Sequence, residues 1–189
     1  ATHFVSHSWA GSWVTLVRAL EALDRDGGAS GARFYWIDIF AVCQHPGDAQ
    51  QADLCFERVI ARTRRTTVLL EPWDAPRALT RVWCLFELWT TLRCADEAER
   101  GGGGGGGRLE LALPEAESAS FVDALIFRYD DILRAIAAID VERADATVAA
   151  DRARIFAQIR SAADQGSQGF ATLNGAVKTA LRAELLEVG

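Results

Sequence analysis

The sequence predicts an α/β fold, in which a doubly wound parallel sheet of four or five strands carries helices on both faces and extra helices follow at the C-terminal end. Short β-branched or aromatic apolar segments alternate with amphipathic segments of helical length. Residues 33–42 are almost entirely apolar, as in strands that are covered on both faces. This alternation favours right-handed crossovers, which produce a parallel sheet.

Length and charge limit the domain organisation and the partners. The chain has 189 residues, of which half are hydrophobic, and we interpret residues 1–189 as a single domain. Its 26 Asp and Glu outnumber its 20 Lys and Arg, so the net charge is −6. A surplus of acidic residues is unsuited to phosphate backbones, and we therefore expect no nucleic-acid partner.

The residue types also indicate the compartment. Apolar runs are too short to span a bilayer, so we expect no membrane partner. The four cysteines lack Cys-x-x-Cys spacing, which favours reduced thiols and a cytoplasmic location. No methionine occurs, so we expect the sequence to be a piece of a longer chain whose other domains are partners.

The first half of the chain supplies most of the predicted sheet. Ser12 is placed to cap the first helix, whose apolar residues recur at helical spacing until Gly27. Asp38 interrupts the second strand, where an unpaired charge would be costly, so it needs a partner. In chain order the expected elements are a strand at 3–6, a helix at 13–26, a strand at 33–42, a helix at 52–64 and a strand at 66–70.

The second half is more helical. A helix with Thr80 as its N-cap precedes seven consecutive glycines at 101–107, which we interpret as a flexible insertion. A helical C-terminal extension begins near residue 140. The expected elements after the glycines are a strand at 109–113, a helix at 121–139, a strand or turn at 139–141, and helices at 151–163 and 173–186.

Chemistry-bearing residues follow the first strand. Because ligands of such sheets bind beyond the carboxyl ends of the strands, the loops after Ser6, Val42 and Leu70 should converge. The first loop offers Ser6, His7 and an indole, Trp9. A serine hydrolase is not favoured, since no Gly-x-Ser-x-Gly elbow is present, and these side chains could simply bond loop amides. The spacing of the histidines predicts no metal site.

Glu87 is a second candidate for a residue that carries chemistry at the ligand edge. If Val82, Leu85 and Trp89 mark the core-facing stripe of their helix, Glu87 lies well off that stripe and does not face the sheet. It shares a flank with Trp83, one turn earlier, near the expected ligand edge. The alternative is an ordinary solvated glutamate.

Residues 61–89 resemble the third-strand-to-third-helix region of Toll/interleukin-receptor (TIR) domains, especially the plant type. The first strand, ending in Ser6, and residues 36–38, ending in Asp38, are similar to the first two strands of that family. The resemblance covers roughly residues 3–93. The plant-type Trp-Cys-Leu-x-Glu-Leu signature is matched by Trp83, Cys84, Leu85, Glu87 and Leu88.

The resemblance implies a flavodoxin-like fold and hydrolysis of the nicotinamide glycosidic bond of NAD, in a self-associating signalling or defence (innate immunity) module. Glu87 would then be the catalytic residue, and NAD the substrate, with no further cofactor and no metal. Two alternatives stay open: a non-catalytic homotypic interaction module, and a nucleoside deoxyribosyltransferase-like enzyme. The candidates for contacts to NAD are Ser6, His7, Trp9, Asp38, Phe40 and Trp83.

Overall fold

The computed structural model describes residues 1–26, 32–42, 56–100, 107–162 and 168–188. Within them lies one sheet of four parallel strands in the order β2-β1-β3-β4. This α/β architecture is confirmed, and its strand order is consistent with a flavodoxin-like fold. The glycine run at 101–106 and the start of the predicted helix at 52–64 lie outside the described residues. The strands are β1 His3–Ser6, β2 Tyr35–Trp36, β3 Arg65–Leu69 and β4 Arg108–Ala112.

Helices cover both faces of the sheet, as expected. One face packs Val5 and Leu69 against Leu16 and Leu20 of the first helix, and the other packs Phe4 against Phe56 and Ile60. None of the described helices is long and apolar enough to cross a membrane. The helices are α1 Trp13–Asp26, α2 Asp38–Ala41, α3 Phe56–Thr63, α4 Val82–Arg100, α5 Glu115–Phe127, α6 Tyr129–Ala137, α7 Ala149–Ala162 and α8 Gly169–Val188, with a 3-10 helix at Arg77–Thr80.

The second strand is shorter than predicted. Only Tyr35 and Trp36 pair with β1, and the predicted strand at 33–42 is wrong beyond them, because the chain turns into α2 at Asp38. The Ile39 amide donates to Asp38 Oδ1 at 2.7 Å. This local bond between a side chain and the backbone competes with strand pairing, which explains why the apolar run does not continue as a strand.

The predicted helix at 121–139 is two helices, α5 and α6. Arg128 separates them with a non-helical backbone (φ −138°, ψ 39°). Residues 139–141 are not a strand: a turn covers residues 141–143, and the Val141 amide donates to Asn174 Oδ1 at 2.9 Å. Thr80 is not an N-cap: it ends the 3-10 helix, and its hydroxyl donates to the carbonyl of Arg77.

Helix α4 is the centre of the larger hydrophobic core. It packs on the sheet and is also covered by α3, α7 and α8. Residues 84–89 are all buried, and six consecutive helical residues point in every direction around the helix axis. A helix that is apolar on most sides is one that other elements surround. Residues away from the sheet-facing stripe of α4 can therefore still be buried.

Gly107, which precedes β4, provides a test of this packing. A methyl group there would lie 2.1 Å from the carbonyl oxygen of Thr91 on α4. We expect Gly107→Ala to lower the free energy of unfolding by about 1–3 kcal/mol, because the backbone of α4 must shift. Urea denaturation measures the loss.

The matched control is Gly175→Ala in α8, where an added methyl group meets nothing within 4 Å. Alanine is the better helix former, so this variant should be more stable by about 0.5–1 kcal/mol. A Gly107→Ala protein as stable as the unmodified protein would contradict the described approach of β4 to α4.

Candidate functional site

The site is built around a hydrogen bond between β1 and α4. Ser6 ends β1, and its Oγ donates to Glu87 Oε2 at 2.6 Å. Both residues are buried, at 1% and 6% exposure. One turn later Thr91 Oγ1 lies 2.6 Å from Thr66 Oγ1 of β3. Glu87 and Thr91 therefore form a polar stripe that faces the sheet.

The expectation that Glu87 does not face the sheet is wrong. The direction inferred from Val82, Leu85 and Trp89 assumed that α4 has one buried stripe, whereas sheet and helices surround it. The strand register explains the contact: Ser6 lies opposite Val68 and on the same face as Phe4, which is the face that α3 and α4 cover. A hydroxyl at this position meets a carboxylate on α4.

Burial changes the protonation of Glu87. Desolvation raises the pKa of its carboxyl group well above the ordinary value of 4.5; the hydrogen bond from Ser6 acts in the opposite direction, and the charge of Asp38 adds to the rise. Burial likewise raises the pKa of the neighbouring Cys84 thiol. Its Sγ lies 3.4 Å from the carbonyl oxygen of His7, and it behaves as an inert apolar group.

Asp38 joins the loop after β1 to the turn after β2. Its Oδ2 accepts a hydrogen bond from Trp9 Nε1 at 2.7 Å, and its Oδ1 lies 3.8 Å from His7 Nε2. Burial lowers the pKa of His7 despite the attraction of Asp38, so the imidazole is neutral near pH 7. Ser6, His7, Trp9, Asp38 and Glu87 thus lie in one cluster. Of the three loops that were predicted to converge, the one after Leu70 approaches the one after Ser6, where Glu71 lies near Gly11, and the one after Val42 lies outside the described residues.

A cavity of about 200 Å³ opens beside this cluster. Here it is called the Trp9 cavity. Its volume is below the range of roughly 300–1,000 Å³ that is typical of sites for whole small molecules, so it fits one ring rather than a dinucleotide. Glu87 and Ser6 do not line it, whereas the next residue, His7, does. The lining residues are His7, Ser8, Trp9, Gly11, Ser12, Trp13, Leu16, Ile39 and Leu69.

The other two predicted contact residues lie apart from the Ser6–Glu87 bond. Phe40 is 73% exposed and packs edge-on against Trp13 at 5.1 Å, at the border of the Trp9 cavity. Trp83 packs against Phe56 at 5.1 Å, and its Nε1 donates to Asp151 Oδ2 of α7 at 3.2 Å. The structure does not bring Trp83 together with the cavity.

Sequence reasoning missed three walls of the Trp9 cavity. Trp13, Leu16 and Leu69 lie in the predicted first helix and third strand, without any predicted role in a site, and all three line the cavity. One sequence feature could have indicated this role: Trp13 is the first residue of its helix and directly follows the small residues Gly11 and Ser12. In the structure Trp13 is 38% exposed. An aromatic residue at the first position of a helix lies near the strand ends.

Among the described residues, no group of three or more His, Cys, Asp or Glu is placed to hold a metal ion. Comparisons with protein-family models, curated proteins and solved structures found no match.

Replacing Glu87 tests its buried, proton-holding state. A folded-state pKa above 4.5 makes the contribution of Glu87 to stability greatest below that pH and progressively smaller as the pH rises. Glu87→Gln cannot ionise, so its stability relative to the unmodified protein should increase from about pH 5 to about pH 8, by at most about 1.4 kcal/mol per pH unit. Urea denaturation across this range measures the difference.

Ser6→Ala is the paired variant, and its stability relative to the unmodified protein should change with pH in the opposite direction. It removes the donor that favours the ionised carboxylate, so the pKa of Glu87 should rise further. The variant should lose stability relative to the unmodified protein as the pH increases. Parallel pH curves for all three proteins would show that Glu87 ionises normally and would contradict the assignment.

Proposed function

We propose that this chain hydrolyses the nicotinamide glycosidic bond of NAD, with Glu87 as the catalytic residue. The observation that carries the proposal is the carboxylate of Glu87, desolvated and hydrogen-bonded to Ser6 at the carboxyl end of the central strand β1. Perturbed carboxyl groups at strand ends are candidates for catalysis. The resemblance of residues 83–88 to the TIR signature supports the same residue.

The chemistry requires one negative charge beside the ribose. Breaking the bond between C1′ and the pyridinium nitrogen releases neutral nicotinamide and leaves an oxocarbenium-like sugar, which a carboxylate stabilises. Water then adds to C1′ and gives up a proton, so the products are ADP-ribose, nicotinamide and a proton. Glu87 must be ionised for this role, so activity should increase with pH above 4.5 as the carboxyl group loses its proton.

Glu87 is too buried for a substrate to reach, so the chain must rearrange before it can act on NAD. The side chain is 6% exposed and does not line the Trp9 cavity, so a ribose must displace the residues between them. The loop of residues 7–11 connects Ser6 to the cavity and is the segment that must move. We propose that contact between copies of the chain shifts this loop and opens the carboxylate to substrate.

A second candidate function is a non-catalytic interaction module. The observation that favours it is the apolar surface of α5, where Val122, Ile126 and Phe127 are each more than half exposed. Under this reading the Ser6–Glu87 bond only fastens α4 to the sheet. The TIR resemblance is compatible with either function.

The test measures the release of nicotinamide from NAD by chromatography. The reaction is run at increasing protein concentration, or with the protein clustered on a surface. The unmodified protein should release nicotinamide, and Glu87→Gln should lose about a hundredfold or more of that activity. Glutamine retains the size of the side chain and an acceptor for Ser6. The variant therefore separates loss of charge from loss of folding, which circular dichroism checks.

Glu117→Gln is the matched control. Glu117 accepts a hydrogen bond from the Trp73 amide at 3.2 Å, away from the candidate site, and its replacement should leave the activity within about twofold. If the unmodified protein is inert at every concentration while it still self-associates, the interaction module replaces the enzyme. If both Gln variants are equally active, Glu87 is not catalytic.

A further inference from the structure

The loop of residues 7–11 stands between the Trp9 cavity and Glu87. Four of its five residues line the cavity, whereas Glu87 does not, and the loop begins directly after Ser6, the partner of Glu87. On the side of α4, the carbonyl oxygen of His7 lies 3.4 Å from Cys84 Sγ, one turn before Glu87. Cys84 is 3% exposed, and the loop is one of the elements that cover it. The loop therefore separates the cavity from the carboxyl group.

The middle of this loop is a tight turn with hydrogen bonds of its own. The Gly11 amide donates to the carbonyl oxygen of Ser8 at 2.9 Å, and the Ala10 amide donates to Ser8 Oγ at 3.3 Å. Both bonds join residues of the same turn, so they keep its shape without fixing it to the rest of the fold. We therefore expect residues 8–11 to move as one unit.

The side chain of Trp9 fastens the turn to the neighbouring segment. Trp9 is 61% exposed, so removal of its indole from water does little to hold it in place. Its Nε1 instead donates to Asp38 Oδ2 at 2.7 Å, at the start of α2. A single hydrogen bond of this kind shifts the equilibrium between two arrangements of a loop by about five- to tenfold.

We propose that the hydrogen bond between Trp9 and Asp38 is a latch that keeps the loop of residues 7–11 closed over Glu87, and that its release opens the carboxyl group to the Trp9 cavity. The need for this opening rests on the proposed function, in which a ribose must reach Glu87. The latch itself is a property of the fold and is measured without substrate. Because the indole lies at the surface, a molecule outside the chain can contact the latch directly.

Chemical labelling of Glu87 measures the opening. A carbodiimide with an excess of an amine converts accessible carboxyl groups into amides, and trypsin then releases residues 82–93, in which Glu87 is the only acidic side chain. Trp9→Phe retains an aromatic ring but removes the N–H donor. Its Glu87 should be labelled about fivefold faster than that of the unmodified protein near pH 6, as mass spectrometry of this peptide measures. Equal rates in the two proteins would overturn the proposal.

Tyr35→Phe is the matched control. The hydroxyl of Tyr35 donates to Asp24 Oδ1 at 2.8 Å, so this variant also loses one exposed hydrogen bond from an aromatic side chain to an aspartate. Tyr35 pairs with His3 at the amino end of β1, away from the loop. Labelling of Glu87 should stay within about twofold of the unmodified protein. An increase as large as that of Trp9→Phe would show general loosening of the fold and would refute the latch.

A double-mutant cycle assigns the effect to the bond between the two side chains. Asp38 also accepts the Ile39 amide, so Asp38→Ala by itself changes more than the latch. In the Asp38→Ala background no acceptor is left for Trp9, and the further effect of Trp9→Phe on labelling should be less than about twofold. A fivefold effect of Trp9→Phe in both backgrounds would show that the indole acts without Asp38, and the latch would be wrong.

The labelling assay and the hydrolysis assay fail independently. Faster labelling of Glu87 in Trp9→Phe, without release of nicotinamide from NAD by either protein, would retain the latch and refute the proposed function. Release of nicotinamide by the unmodified protein, with labelling of Glu87 unchanged in Trp9→Phe, would retain the function and refute the latch.

Discussion

Burial of the Glu87 carboxyl group against β1 is the constraint on which the site depends. A carboxylate removed from water is costly unless it is protonated or hydrogen-bonded, and here Ser6 donates to it at 2.6 Å. The same contact fastens the second turn of α4 to the carboxyl end of the central strand. The hydrogen bond that holds α4 against the sheet therefore also holds an acidic group at the edge where ligands of parallel sheets bind. The pKa of this group is raised.

The surroundings of α4 make this burial possible. Sheet, α3, α7 and α8 enclose the helix, so a polar side chain on it either reaches a partner or destabilises the fold. Glu87 reaches Ser6, and Thr91 reaches Thr66, one turn apart on the same stripe. These bonds connect α4 to the two central strands, β1 and β3.

The carboxylate of Asp38 organises the outer part of the site, next to Trp9. Asp38 accepts hydrogen bonds from Trp9 and from the Ile39 amide, so one carboxylate ends β2, starts α2 and positions an indole. Its charge also helps to raise the pKa of Glu87. Asp38, which holds the indole of Trp9 at the cavity, and the buried Glu87 are therefore electrostatically coupled, although neither lines the cavity.

The alternation of apolar strands and amphipathic helices determined the α/β class and the position of Ser6, His7 and Trp9 at the ligand edge, because strand ends of a parallel sheet meet at one edge. It placed Asp38 inside a strand, and only the motif resemblance placed Asp38 at a strand end. The pattern of apolar residues along the chain did not determine that Asp38 starts a helix or that Arg128 divides the helix predicted at 121–139. Nor did it determine that Glu87 faces the sheet. Each depends on contacts between residues distant in sequence or on local hydrogen bonds that compete with an apolar pattern. Tertiary packing alone decided which side of α4 meets the sheet, since a helix enclosed on several sides has no single apolar stripe that sequence can reveal.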